Sequence, residues 1–310
     1  MYFCSMSKGA AWIQAMRLRT LPLSLAGIIA GSAVAYFNGF WDGIIFGLAI
    51  STTVLFQILS NLANDLGDGV KGTDNDDRVG PERAVQSGVI SAKEMKNGVI
   101  INAVLSLISA GLLIYFGTQN MPASMIWFYG GLALLCVAAA ITYTVGKRAY
   151  GYMGLGDLMV LLFFGGVSVL GVYSLYAKSF LNENVLLALG FGLLSTAVLN
   201  LNNMRDFQND HASGKITMVV RMGPNLGKMY QVLLVMMALG CIAQFINLVE
   251  RPILFLAMLP ALFLIYHLRT VMRTTDPKDF DPELKKVALS TFALAILLFA
   301  GLIYVKHYVV

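Results

Sequence analysis

Two acid-rich stretches, each just beyond a long apolar run, carry residues suited to holding a phosphorylated molecule: NLANDLGD (Asn61–Asp68) and NNMRDFQND (Asn202–Asp210). If the apolar helices continue one turn further, Asn61, Asn64, Asp65 and Asp68 share one face. Asn202, Asn203, Asp206 and Asp210 then share another, because residues three and four apart are helical neighbours. Each face offers two carboxylates flanked by carboxamides. Paired hard oxygen ligands suit Mg²⁺, which binds proteins through one or two carboxylates and completes its shell with substrate phosphate and water. Two such faces are expected to grip one diphosphate from both sides, with Asp65, Asp68, Asp206 and Asp210 as the metal-binding and catalytic carboxylates.

Other groups are candidates around that core. Six of the chain's 17 acids lie between Asp65 and Glu82, which adds Asp74 and Asp77 as further metal ligands and leaves open which of them serves. Arg78 and Arg83 in the same loop, Lys147 and Arg148, and Arg205 and Lys215 supply the positive charge that a diphosphate needs. Arg offers two parallel bonds to phosphate oxygens and Lys a point charge; the alternative reading of each is that it simply enforces membrane topology. Tyr143 could shield a cationic intermediate with its ring or simply anchor an interface. Asp157, in GLGD (Gly154–Asp157), reads equally as a site residue or as a first-turn acid opposite the helix dipole.

The elements that must position these residues are membrane helices. Hydrophobic residues make up 57% of the chain, charged residues 13%, and the mean hydropathy is +0.71, far from soluble averages. Apolar runs long enough to cross a bilayer recur near 21–40, 43–63, 98–117, 123–145, 157–177, 184–204, 228–248, 252–272 and 287–308. The expectation is an all-α polytopic membrane protein of nine transmembrane helices, with a central cavity capped by cytoplasmic loops. Trp12–Arg19 reads as an interfacial helix ahead of the first span. A signal-peptide reading of the first span, ending in Ala33-Val34-Ala35, fits less well because the apolar region is long and starts late.

Of the 22 Lys and Arg residues, 19 fall on one side of this topology, leaving only Lys178, Arg251 and Lys306 on the other. That asymmetry puts the N-terminus and both acidic stretches in the cytoplasm. It also accounts for the net charge of +5 without a nucleic-acid partner. Cys4, Cys136 and Cys241 show no disulfide or metal-ligand spacing and read as packing residues.

No linker divides residues 1–310, so one domain is expected, with an internal repeat. Asn61-x-x-Asn64 recurs as Asn200-x-x-Asn203, and RVGP at Arg78 recurs as RMGP at Arg221. Two four-helix units, approximately 12–150 and 151–275, plus one added span would place both acidic ends on a shared site.

These motifs carry a resemblance. NLANDLGDGVKGTDNDDRVGPERAVQSG (Asn61–Gly88) resembles the first aspartate motif of the UbiA superfamily of intramembrane prenyltransferases, and NNMRDFQNDHASGKIT (Asn202–Thr217) its second. ITYTVGKRAYGYMGLGD (Ile141–Asp157) resembles the segment joining the repeats in the 1,4-dihydroxy-2-naphthoate polyprenyltransferase (MenA) branch. The last acid of the 4-hydroxybenzoate-type motif would fall on Gly72, and Asp74 follows two residues later, as in the naphthoate branch.

The resemblance implies Mg²⁺-dependent transfer of a polyprenyl group from its diphosphate to 1,4-dihydroxy-2-naphthoate, with loss of CO₂ and diphosphate, in a bacterial inner membrane. Asn61, Asn64, Asn203, Arg78, Arg83, Lys147, Arg148, Arg205, Lys215 and Asp157 would bind substrate. The alternatives are another aromatic acceptor, or a secondary transporter for an organic anion, since repeats and intramembrane acids also describe transporters.

Overall fold

The computed structural model describes residues 7–75, 79–179 and 181–309, and within them the regular secondary structure is helical apart from one isolated bridge. Helix α1 (Lys8–Met16) starts at Ser7, whose hydroxyl accepts from the Ala10 amide, and ends at Arg17 in a left-handed turn. It is a separate short helix ahead of α2 (Leu21–Phe37), with Pro22 in the first turn of α2, where its missing N–H costs nothing. Asp42 caps α3 (Gly43–Lys71) by accepting from the Ile44 and Ile45 amides, and a Ser91/Glu94 capping box opens α4 (Ala92–Gly117).

Helix α5 (Ala123–Thr142) is followed by α6 (Gly156–Ala177), which is wound as a π-helix over Leu161–Gly171. Next come α7 (Asn184–Arg205), two short helices, α8 (Phe207–Ala212) and α9 (Met218–Met222), and α10 (Pro224–Val249). Pro252–Met258 forms a 3₁₀ segment before α11 (Ala261–Arg273), and α12 (Phe280–Tyr308) completes the bundle.

Among the described residues, eight helices are long and apolar enough to cross a bilayer. The eighth expected span, 252–272, is a pair bent by 41° at Leu259-Pro260; counting that pair as one span gives nine crossings. The bend has a local cause, since Pro260 can donate no hydrogen bond to the preceding turn and its ring crowds the carbonyl there.

Helix α7 is the centre of the bundle. It packs on α6, α10 and α12, and α2 closes against α12. Close approach depends on glycine: a Cβ on Gly165 of α6 would run into the Ala188 carbonyl of α7. A second, smaller core joins α1, α3 and α4, where the Trp12 ring lies flush on Gly98.

A buried polar chain links the last helices. Asn200 donates to Gln231 (2.9 Å), Gln231 pairs with His267 (3.1 Å), and His267 bonds Glu283, which also holds Lys286 (2.5 Å). Helix α5 differs from the rest: it packs on α3 and α4 and shows most of its surface outward.

Candidate active site

The end of α3, the connector after α5 and the segment after α7 meet at one end of the bundle. Helix α3 runs on to Lys71, so Asp68 stays helical, and Gly72 terminates it with a φ of 73°. A left-handed residue at this cap costs glycine little and a β-carbon-bearing residue more, which gives the absence of an acid at position 72 a backbone reason. The second stretch behaves differently: α7 stops at Arg205, Asp206 is non-helical, and Asp210 lies on the separate α8.

Asp68 accepts a hydrogen bond from the Tyr152 hydroxyl at 2.7 Å, which in turn pairs with the Thr73 hydroxyl at 2.6 Å. Asn209 donates to the Thr73 carbonyl at 2.7 Å, a direct tie between the two acidic stretches. Lys215, only 7% exposed, stands 3.5 Å from Asp210 and 5.6 Å from the Tyr152 ring centre.

Burial alone would lower the Lys215 pKa, but Asp68 and Asp210 more than reverse it, so the ammonium is held charged. Burial pushes the Asp210 carboxyl up to about 6; Lys215 opposes this, and Asp206 and Asp68 reinforce it. One Asp210 oxygen is buried without a hydrogen-bond donor. Two acids, Asp68 and Asp210, around a single ammonium, with a carboxylate oxygen of Asp210 left over, form a donor set that fits a divalent cation completed by other ligands. Among the described residues no three acidic, His or Cys side chains close on one metal position, so an ion here would draw part of its shell from substrate or water.

The other expected residues are distributed around this cluster. Asp65, 1% exposed, accepts from the Ala84 and Val85 amides at 3.2 and 3.1 Å and so pins the returning loop. Asn61 donates to the Met16 carbonyl (2.9 Å) and to Thr20 (3.2 Å), tying α3 to the N-terminal segment. Asn64 accepts from Thr144 at 3.3 Å and lines the cavity described below. Asp74 pairs with Arg83 at 3.7 Å. Asp77 and Arg78 lie outside the described residues.

Arg205 is committed to protein partners. It holds Asp206 with two bonds (2.9 and 2.8 Å), Asn202 (2.6 Å) and Asp281 of α12 (2.6 Å). Asn203 is buried with its side-chain oxygen unbonded. Lys147 and Arg148 are exposed on the connector, and Asp157 faces Tyr230. Sequence reasoning did not single out Tyr152, Thr73 or Asn209; the Tyr-rich run AYGYMG just before Asp157 was the available signal.

Tyr143, just past α5, meets Tyr150 edge to face with centroids 5.3 Å apart, and Tyr150 donates to the Ala139 carbonyl at 2.9 Å. Both rings line one end of an apolar cavity of about 320 Å³ bounded by α2, α3, α4, α5 and α6. Helices α5 and α6 face each other across it with little direct packing, leaving a seam beside Leu132, Cys136, Phe163 and Val167, all partly exposed. The arrangement sets a charged, cation-seeking end against a long greasy chamber, which suits a molecule with a phosphorylated head and a hydrocarbon tail.

Comparisons with known proteins agree in kind. The profile of the UbiA prenyltransferase family matches residues 24–288. The 1,4-dihydroxy-2-naphthoate octaprenyltransferase of Escherichia coli K12 is 43% identical over 300 residues, covering 96% of each chain. The protein of the same name from Mycobacterium tuberculosis is 32% identical, covering 94% of this chain and 96% of its own. Human UbiA prenyltransferase domain-containing protein 1 is 26% identical over 70% of this chain and 62% of its own. A solved structure of digeranylgeranylglyceryl phosphate synthase superposes with a TM-score of 0.62 at 18% identity, covering 96% of this chain and 99% of that one, a likeness of fold.

Proposed function

The chain belongs to the UbiA prenyltransferase family, and from that premise we propose that it transfers a polyprenyl group from its diphosphate to 1,4-dihydroxy-2-naphthoate, releasing CO₂ and diphosphate. The observation that carries this reading is the meeting of Asp68, Asp210 and Lys215 at the polar end of the apolar cavity. The naphthoate acceptor comes from the names of the bacterial relatives.

The residues that would hold Mg²⁺ with the diphosphate are Asp68 and Asp210, with Asp206 beside them and Asp65, Asp74 and Asp77 as further candidates. The ion would supply Lewis-acid stabilisation of the charge growing on the leaving group. Lys215 supplies a fixed positive charge to the same oxygens, and its burial between acids keeps it from swinging into solvent. Tyr152 holds Asp68 in place through its hydroxyl.

As the bond from the first prenyl carbon to oxygen breaks, positive charge develops on the allylic carbon. Tyr143, braced by Tyr150, presents an aromatic ring at that end of the cavity, and the apolar walls keep water away from the cation. The naphthoate carbon bearing the carboxylate attacks; the new carbon–carbon bond forms, the carboxylate leaves as CO₂, and its electron pair restores the aromatic ring. Charge balances without an added proton, since a carboxylate and a diphosphate ester become CO₂ and free diphosphate.

The tail would enter from lipid through the seam between α5 and α6. In this reading the protein sits in the bacterial inner membrane with its N-terminus and acidic end cytoplasmic, and the whole chain forms one domain of two repeats and an added helix.

The test is turnover of carboxyl-labelled 1,4-dihydroxy-2-naphthoate with polyprenyl diphosphate and Mg²⁺ by purified protein in lipid. Equal release of CO₂ and prenylated product, abolished by EDTA, is the expected result. Prenylation of 4-hydroxybenzoate alone would move the protein to another acceptor. No turnover with any acceptor would favour a transporter.

A further inference from the structure

The two ends of the cavity are built differently. At the polar end the walls are Asn64, Tyr143 and Tyr150; midway, the seam between α5 and α6 is partly open. At the far end the walls are sealed. Ala49, Val172 and Leu175 are 1%, 3% and 4% exposed, and Leu175 packs so closely on Gly117 that a Cβ there would meet it at 2.8 Å.

Tyr129 stands across that far end. Its ring lines the cavity, it is 5% exposed, and its hydroxyl bonds the hydroxyl of Ser174 on α6, while Ser174 donates on to the Gly171 carbonyl at 2.9 Å. This bond joins α5 to α6 just beyond the stretch where the two helices stand apart. From Tyr129 to Tyr143 is 14 residues of helix and one cap, about 21 Å of rise. With carbon–carbon bonds of about 1.5 Å, foreshortened by the zigzag, an extended isoprene unit advances about 5 Å, so the chamber holds about four units.

We infer that Tyr129, latched to Ser174, is the floor of the tail chamber: it sets how many isoprene units the protein holds before the remainder turns out between α5 and α6 into the lipid. This rests on the prenyl-donor reading above and adds to it a residue that determines length preference. Units within the chamber lose water and gain wall contacts, whereas units beyond it exchange one hydrocarbon surrounding for another and add little.

The experiment measures the affinity of non-reacting prenyl thiodiphosphates of two, four and eight units, with Mg²⁺, for the full chain in phosphatidylethanolamine and phosphatidylglycerol nanodiscs. Wild-type protein is expected to gain at least about tenfold from two to four units, and less than about threefold from four to eight. Tyr129→Ala removes the floor, so the four-to-eight gain should rise to about fivefold or more, while Tyr129→Phe keeps the ring and the wild-type profile. Leu175→Ala, which opens the same end from α6, should shift the profile in the same direction and serves if Tyr129→Ala does not fold.

A wild-type affinity that keeps climbing from four to eight units, or an unchanged profile in the floor variants, would overturn the inference and leave the transferase reading standing. Failure of wild-type protein to bind any of the three, together with no turnover, would overturn both.

Discussion

At the scale of residues, the acids that looked alike in sequence have different employments. Asp210 keeps a buried oxygen without a donor, and Asp68 accepts from Tyr152, so both have capacity left for a cation. Asp65 commits both oxygens to the Ala84 and Val85 amides. Asp210→Asn and Asp68→Asn are therefore expected to lower kcat about 100-fold or more with the thermal midpoint nearly unchanged. Asp65→Ala should cost about 1–3 kcal/mol of stability by orphaning two buried amides, seen as an earlier unfolding midpoint. Equal activity losses with no stability difference would undo that division of labour. Tyr152→Phe removes the hydroxyl that orients Asp68 and should weaken Mg²⁺ activation, readable as a raised half-saturating Mg²⁺ concentration. Residue types told which groups were acids near a membrane surface. They did not tell that Arg205 would be fully engaged by Asn202, Asp206 and Asp281, because the bond to Asp281 joins parts of the chain 76 residues apart.

At the scale of elements, the two acidic stretches end their helices by different means. Helix α3 carries its acids a full turn past the apolar run, as the spacing of Asn61, Asp65 and Asp68 anticipated, and stops at Gly72. Helix α7 stops at Arg205, where that side chain is bonded to Asp206 and to Asp281 of α12, a tertiary arrangement without a local signal. The break in the eighth span was legible in Pro260, but composition alone ran through it. The π winding of α6 had no counterpart in the periodicity, because an almost wholly apolar segment has no polar face to show a change of pitch. Gly67 fixes how α3 meets the connector: an added Cβ would lie 2.5 Å from the Thr144 hydroxyl and 2.7 Å from its carbonyl carbon. Gly67→Ala should therefore destabilise the protein by about 1–3 kcal/mol and reduce transfer by displacing Tyr143, whereas Gly47→Ala, with open space around it, should change neither. Thermal unfolding and a turnover assay on the two variants decide this.

At the scale of the whole molecule, the polar chain from Asn200 through Gln231 and His267 to Glu283 ties α7 to α10, α11 and α12 inside the bundle. His267 is fully buried and Glu283 nearly so. Removing one partner strands the other in an apolar surrounding, so His267→Leu should cost about 3 kcal/mol, and the double variant with Glu283→Gln should recover part of that loss. Denaturation of the single and double variants in the same detergent measures the coupling; simple additivity would show the pair to be independent. Helix α5 stands at the opposite extreme, bound along one side and bare along the rest. Its bareness makes the surrounding acyl chains a structural component, since they complete the wall that protein leaves unfinished. Bilayer thickness and acyl packing then act on the chamber as a mutation in its lining would, and detergent, which wraps the same helix differently, changes the enzyme without touching a single residue.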